Sequence, residues 1–201
     1  GKNYTVQYFE RAVFEMHPEN AAPNNVLLSL LGNFLYKQKY PNGAPTQTPD
    51  TSTGSVLFKE TGKPLGGRFL EYWNKNGSLA QQGTHISDVF QQKCSLDGKI
   101  YTVQYFERAV FEMHPENQPP YNVLLSQLGT FRYKAKYNTA GAPSQHVSTD
   151  NPRVFPETNH TVGGVFRAYW EAHGGLAQQG FPISDEFTEV SDLNHKPYSV
   201  Q

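Results

Sequence analysis

The sequence predicts an α+β protein made of tandem small units, each with a β-hairpin and short helices. Residues 4–20 recur unchanged as residues 101–117, and a further copy opens at Tyr198-Ser199-Val200-Gln201, which sets a period of about a hundred residues. Short runs of β-branched and aromatic residues sit beside apolar runs at helical spacing that end in glycine. Hydrophobic residues make up 37% of the chain and the formal net charge is −1, a balance that suits a packed core and not a disordered tail.

Each element follows from its local pattern. Residues 5–9 and 12–16 are two β-favouring runs around the polar step Glu10-Arg11, the pattern of a hairpin, and residues 102–113 repeat it. The run Val26-Leu27-Leu28-Ser29-Leu30-Leu31, with Asn24 or Asn25 as a cap and Gly32 behind it, reads as a short helix with a glycine stop, as does its copy before Gly129. Further helices are expected over residues 67–75 and 164–172, where Phe69, Tyr72 and Trp73 fall at helical spacing and Gly77 or Gly174 ends the pattern. Residues 86–90 and 183–187 look like capped helical turns, with Ser184 or Asp185 accepting a backbone N–H.

Comparing the copies sets the organisation. The register slips by one residue inside the Pro/Gly/Thr-rich stretches 41–54 and 138–152, which read as exposed variable loops where length changes cost little. The expected layout is the back half of a unit over 1–40, a complete unit over 55–137, and the front half of a unit over 153–201 ending in an unpaired strand at Tyr198-Ser199-Val200-Gln201. Such a chain is either a piece of a longer array or a subunit whose terminal strands meet those of a neighbour. An unpaired edge recruits a strand, and head-to-tail contacts that do not close generate filaments.

Composition excludes several partners. With 17 basic against 18 acidic residues, no basic patch is dense enough for nucleic acid, and no apolar run reaches the roughly 20 residues of a membrane span. The single cysteine, Cys94, has Ser191 as its counterpart and builds neither an intrachain disulfide nor a thiolate metal site. No G-x-S-x-G elbow, H-E-x-x-H helix or phosphate-binding glycine loop is present. Neither a cofactor nor a metal is expected. The sequons at Asn3, Asn76 and Asn159 matter only where exported proteins are glycosylated.

The order Tyr169-Trp170, His173-Gly174-Gly175-Leu176, then Gly180-Phe181-Pro182-Ile183-Ser184-Asp185-Glu186, followed in the repeat by a hairpin with Gln-Tyr-Phe-Glu-Arg, resembles the LGFP-type repeats of bacterial cell-surface proteins. It is more similar still to a longer repeat found in secreted proteins of filamentous phototrophic bacteria and their relatives, often beside cell-wall hydrolases or peptidases. Gln179 stands where the LGFP pattern has leucine, the period is about twice as long, and Thr84-His85 replaces Phe181-Pro182 in the first copy. The resemblance implies an extracellular or cell-surface location and contact with cell-wall polysaccharide or another glycan.

Candidate site residues fall into two groups. Tyr72, Trp73, Tyr169 and Trp170 offer flat rings for sugar stacking, although rings at helical spacing are more often core. Glu15 with His17, and Glu112 with His114, are two apart on a strand and face one side, an arrangement suited to holding a cation or moving a proton. A histidine satisfied by local backbone in a His-Pro-Glu-Asn turn is the plainer reading, and a metal site needs three or four converging ligands. Asp185 and Glu186 suggest a carboxylate pair, but the first copy has Asp88 and Val89 there. Residues an enzyme needs once are here written twice. The expectation is therefore a noncatalytic extracellular module for cell-wall or glycan attachment or for surface assembly. The alternatives are a secreted glycan or peptide hydrolase using the Glu/His pairs, and a head-to-tail filament subunit.

Overall fold

A computed structural model describes residues 1–138 and 140–191. The fold is α+β, and the described residues divide into two compact units: Leu31–Leu128, and Gly1–Leu30 together with the described residues of 129–191. The expected strand at Tyr198-Ser199-Val200-Gln201 lies outside the described residues.

The hairpin forms as the sequence predicts. Strands β1 (Asn3–Tyr8) and β2 (Val13–Met16) pair antiparallel, with Val6 opposite Glu15 and Tyr8 opposite Val13. Glu10-Arg11 lies between them because Phe9 N–H donates to Ala12 O at 2.9 Å and closes the turn. The next strand corrects the expected helix over residues 26–31. Val26–Leu28 is β3, laid antiparallel on β2 with Glu15 opposite Leu27. Its alternating burial, Val26 and Leu28 inward and Leu27 less so, is the period of a strand with one buried face.

Helix α1 (Leu31–Lys39) follows, and Gly32 opens it where the sequence suggested a stop. A Cβ on Gly32 would lie 1.9 Å from Phe106 O, so this glycine exists for close backbone approach. After α1 come the two-stranded pair β4 (Val56–Phe58) and β5 (Lys63–Leu65), then α2 (Gly67–Lys75), the helix expected there, and the unexpected short α3 (Ser78–Gln82). Gly77, at φ 82°, ends one helix and launches the other. Strand β6 (Phe90–Lys93) then pairs with β7 (Ile100–Tyr105), followed by β8 (Val110–Met113) and β9 (Val123–Leu125), giving the sheet order β6-β7-β8-β9.

The second set repeats the first: α4 (Leu128–Tyr137), the pair β10 (Arg153–Phe155) and β11 (His160–Val162), α5 (Gly164–Ala172), α6 (Gly175–Gln179) and β12 (Phe187–Val190). Its sheet is completed from the start of the chain, in the order β12-β1-β2-β3. Phe187 opposes Val6 and Thr188 opposes Thr5, the register in which Phe90 opposes Val103 and Gln91 opposes Thr102.

The expected helical turns at 86–90 and 183–187 are extended bends leading into β6 and β12. Their serines do not cap a helix. Ser184 Oγ accepts Tyr8 N–H and Ser87 Oγ accepts Tyr105 N–H, each at 3.0 Å, fixing the bend to the neighbouring strand. Beneath this, Gln7 Nε2 donates to Ser184 O and Thr161 O, and Gln104 Nε2 donates to Ser87 O. Each unit has its own apolar core. Phe9, Phe14, Phe155, Phe166 and Trp170 anchor one, and Leu65, Phe69, Phe106 and Phe111 anchor the other.

Candidate functional site

The repeated carboxylates lead to the most polar part of each unit's interior. Glu15 lies on β2 with its side chain 2% exposed, and both its oxygens are engaged. Ser29 Oγ donates to Oε1 and Ser191 Oγ to Oε2, each at 2.6 Å. His17 Nε2 stands 3.6 Å from Glu15 Oε2 and makes no hydrogen bond among the described residues. The other ring nitrogen, Nδ1, lies 3.2 Å from Glu19 Oε1, and the Tyr4 ring covers the imidazole at 3.9 Å. Tyr4 Oη donates to Glu19 Oε1 at 2.6 Å. This bond, foremost, holds the Glu19 carboxyl down at about 2 and pushes the Tyr4 hydroxyl up to about 12.

The second copy has the same plan. Glu112 accepts from Ser126 Oγ, His114 Nε2 is 3.6 Å from Glu112 Oε2 and Nδ1 is 3.1 Å from Glu116 Oε1, and the Tyr101 ring covers His114 at 3.9 Å. Two differences stand out. Buried Cys94 takes the place of Ser191, its thiol pushed up by burial, and Tyr101 Oη is shared between Asp97 and Glu116. Glu15 and His17 stand side by side, but His17 lies just past the end of β2 and its Nδ1 faces the Glu19 carboxylate where the sequence suggested local backbone. The sequence reading missed Ser29 and Ser126, although both were visible as invariant serines in the copied Val-Leu-Leu-Ser segment.

These clusters are struts joining β2 to the end of β3, and β8 to the end of β9. A general acid–base pair must reach a substrate proton, whereas Glu15 is enclosed and both its oxygens already accept from serine hydroxyls. Among the described residues, no group of three or more His, Cys, Asp or Glu side chains is placed to hold a metal, and no helix is long and apolar enough to cross a membrane.

The aromatic candidates are drawn inward. Trp73 Nε1 donates to Gly83 O at 2.9 Å and Trp170 Nε1 to Gly180 O at 3.1 Å, pinning the glycine that follows α3 and α6. Tyr72 packs edge-on against Phe111 at 4.9 Å and Tyr169 against Phe14 at 5.0 Å, and Tyr169 also stacks on His173 at 3.9 Å. All four rings help to wall the cores. The pair Asp185 and Glu186 diverges: Asp185 Oδ1 accepts Thr161 N–H at 2.8 Å, while half-buried Glu186 is raised by burial and lies 3.7 Å from His146.

The stretches 41–54 and 138–152 are more than exposed loop. Tyr36 Oη accepts Ala44 N–H, Gln47 Nε2 donates to Ala44 O, and Gln47 Oε1 accepts Asp88 N–H. Tyr133, Ala142, Gln145 and Asp185 make the same relay. The signal lay in Ala44-Pro45-Thr46-Gln47 and Ala142-Pro143-Ser144-Gln145, a motif kept across the register slip.

No protein-family model, curated protein or solved structure matches the chain.

Proposed function

We propose that the chain is a noncatalytic repeat module of the extracellular or cell surface, attaching to cell-wall polysaccharide or another glycan through side chains displayed once per unit, with no cofactor. The observation that supports this reading is the duplication of the polar interior. Glu15 and Glu112, the carboxylates on β2 and β8 beside the repeated histidines, are both buried and both tied to serine hydroxyls, which favours a role in folding over one in turnover. A hydrolase built on Glu15/His17 or Glu112/His114 is the weaker reading for the same reason.

With the Tyr and Trp rings committed to the cores, the displayed groups are elsewhere. Leu79, second in α3, is 55% exposed and Leu176, second in α6, is 45% exposed, in the segment Leu-Ala-Gln-Gln-Gly that both units share. Because this position stays apolar and exposed in both units, it is the contact position put to the test. Sedimentation with purified bacterial cell walls tests the reading. The intact chain is expected in the pellet, and Leu79→Ser with Leu176→Ser is expected to stay in solution at unchanged melting temperature. Equal recovery of both proteins in the supernatant overturns it.

A further inference from the structure

The unit containing both ends of the described chain is assembled from two pieces that are far apart in sequence. Gly1–Leu30 supplies Phe9, Ala12, Phe14, Val26 and Leu28 to its apolar core, and residues 129–191 supply Phe155, Val162, Phe166 and Trp170. Each piece supplies only part of the one buried cluster, and the covalent connection between them runs through the whole of Leu31–Leu128.

The contacts across this seam are extensive and specific. β1 pairs with β12 over four residue pairs from Asn3 with Val190 to Val6 with Phe187. Ile183 N–H donates to Tyr8 O at 2.8 Å, Glu10 N–H to Phe181 O and Arg11 N–H to Gln179 O at 3.0 Å each, and Phe181 N–H to Glu10 Oε2 at 3.1 Å. Arg11 Nη1 reaches Leu176 O at 3.1 Å, and Tyr8 Oη donates to the Glu189 carboxylate, which Lys136 and Tyr137 also bind. On the far side, Gly129 leaves room for Phe9 O, which a Cβ would approach to 1.9 Å. The Leu31–Leu128 unit forms the corresponding contacts between β6 and β7, where the two strands are joined by a short turn. The seam thus has the register of the β6–β7 joint, formed by strands remote in sequence.

We propose that this joint also forms between molecules: Gly1–Leu30 of one copy docks onto residues 129–191 of a second copy, so the chain self-associates by exchanging its first three strands. The contacts made are the same in the closed and exchanged forms. The balance between them is set by the effective concentration that Leu31–Leu128 gives the two pieces against the concentration of other copies. The proposal is independent of glycan attachment, since it concerns a joint already closed within the fold and not the displayed leucines.

The test uses cysteine reporters in a Cys94→Ser background. Thr5 and Thr188 are Cα partners on the outer face of the seam. A chain carrying Thr5→Cys is unfolded together with a chain carrying Thr188→Cys, and the mixture is refolded at low and at high concentration and oxidised. The expected result is a mixed disulfide between the two chains, with a yield that rises with refolding concentration, and dimers or larger species in sedimentation velocity. A parallel pair, Asn3→Cys and Val190→Cys, reads the same ladder at its rim. The doubly substituted chains control for bond formation, because each closes its disulfide within the monomer at low concentration. Monomers alone after refolding at high concentration, or association without either mixed disulfide, overturns the proposal.

Discussion

One missing N–H distinguishes two corresponding places in the repeat. In the unit completed by Gly1–Leu30, Asp185 Oδ1 accepts Thr161 N–H, whereas the counterpart of Thr161 in the other unit is Pro64, which has no N–H to give. Asp88 Oδ1 is consequently buried with no hydrogen-bond partner among the described residues, even though Asp88 Oδ2 is held by Lys63 at 2.7 Å. An unsatisfied buried acceptor costs about 1–3 kcal/mol, while proline returns roughly 0.4–1 kcal/mol through the unfolded chain. Pro64→Thr is therefore expected to stabilise the Leu31–Leu128 unit by about 1 kcal/mol, seen as a higher urea midpoint at unchanged slope. A decrease would show that Asp88 does not use the restored donor.

His85 is a second residue-scale exception, standing where the other unit has Pro182. It is fully buried, edge-on to Phe58 at 4.8 Å, with Nε2 on Lys63 O at 3.0 Å. Burial, foremost, lowers its pKa below the ordinary 6.5, so the folded unit holds the neutral ring. Its contribution is complete above the unfolded value and is lost as pH falls from there through the folded value, because the unfolded chain takes up the proton first. Urea titrations of the parent and of His85→Pro between neutral and mildly acidic pH should diverge, with the parent losing stability more steeply. Parallel curves would contradict a neutral, buried His85.

Among the elements, the hairpins and the helices α2 and α5 were legible because their side-chain periods are unambiguous. Phe69 and Trp73 fall on one helical stripe, and the alternation through β1 and β2 has period two. The run Val26-Leu27-Leu28-Ser29-Leu30-Leu31 was misread because a short, wholly apolar segment fits a strand as well as a helix. What decided it was the open edge of β2 and the Glu15 carboxylate waiting for Ser29. Gly32 was misread with it, since a glycine that ends a helix and one that lets a backbone approach look the same in sequence. Gly32→Ala places a methyl at 1.9 Å from Phe106 O, where backbone must move. The expected cost is about 3 kcal/mol, measured by denaturation, and a loss below about 1 kcal/mol would mean that α1 can lift off the β7–β8 turn without penalty. The Ser184 bend failed as a helical turn for a related reason: its hydroxyl found the N–H of a strand remote in sequence before any local one.

For the whole molecule, the two cores predict two separable stabilities. Removing Gly1–Leu30 deletes five of the nine buried residues of one cluster and none of the other. Calorimetry of the truncated chain should show one cooperative transition, that of Leu31–Leu128, with the remaining residues losing near-UV aromatic signal. Retention of both transitions would mean that residues 129–191 hold a core without their partner.

The sequence by itself determined the repeat, the α+β class and the hairpins, because identity between copies and local side-chain period are properties of the chain read in order. Tertiary structure decided the rest: that Val26–Leu28 is a strand, that Tyr72 and Trp73 face a core, that Ala44 and Gln47 form a relay, and that β1 closes against β12. Each of these depends on which distant surface is left needing a partner, and a buried polar group or open strand edge is satisfied by whatever the fold brings to it.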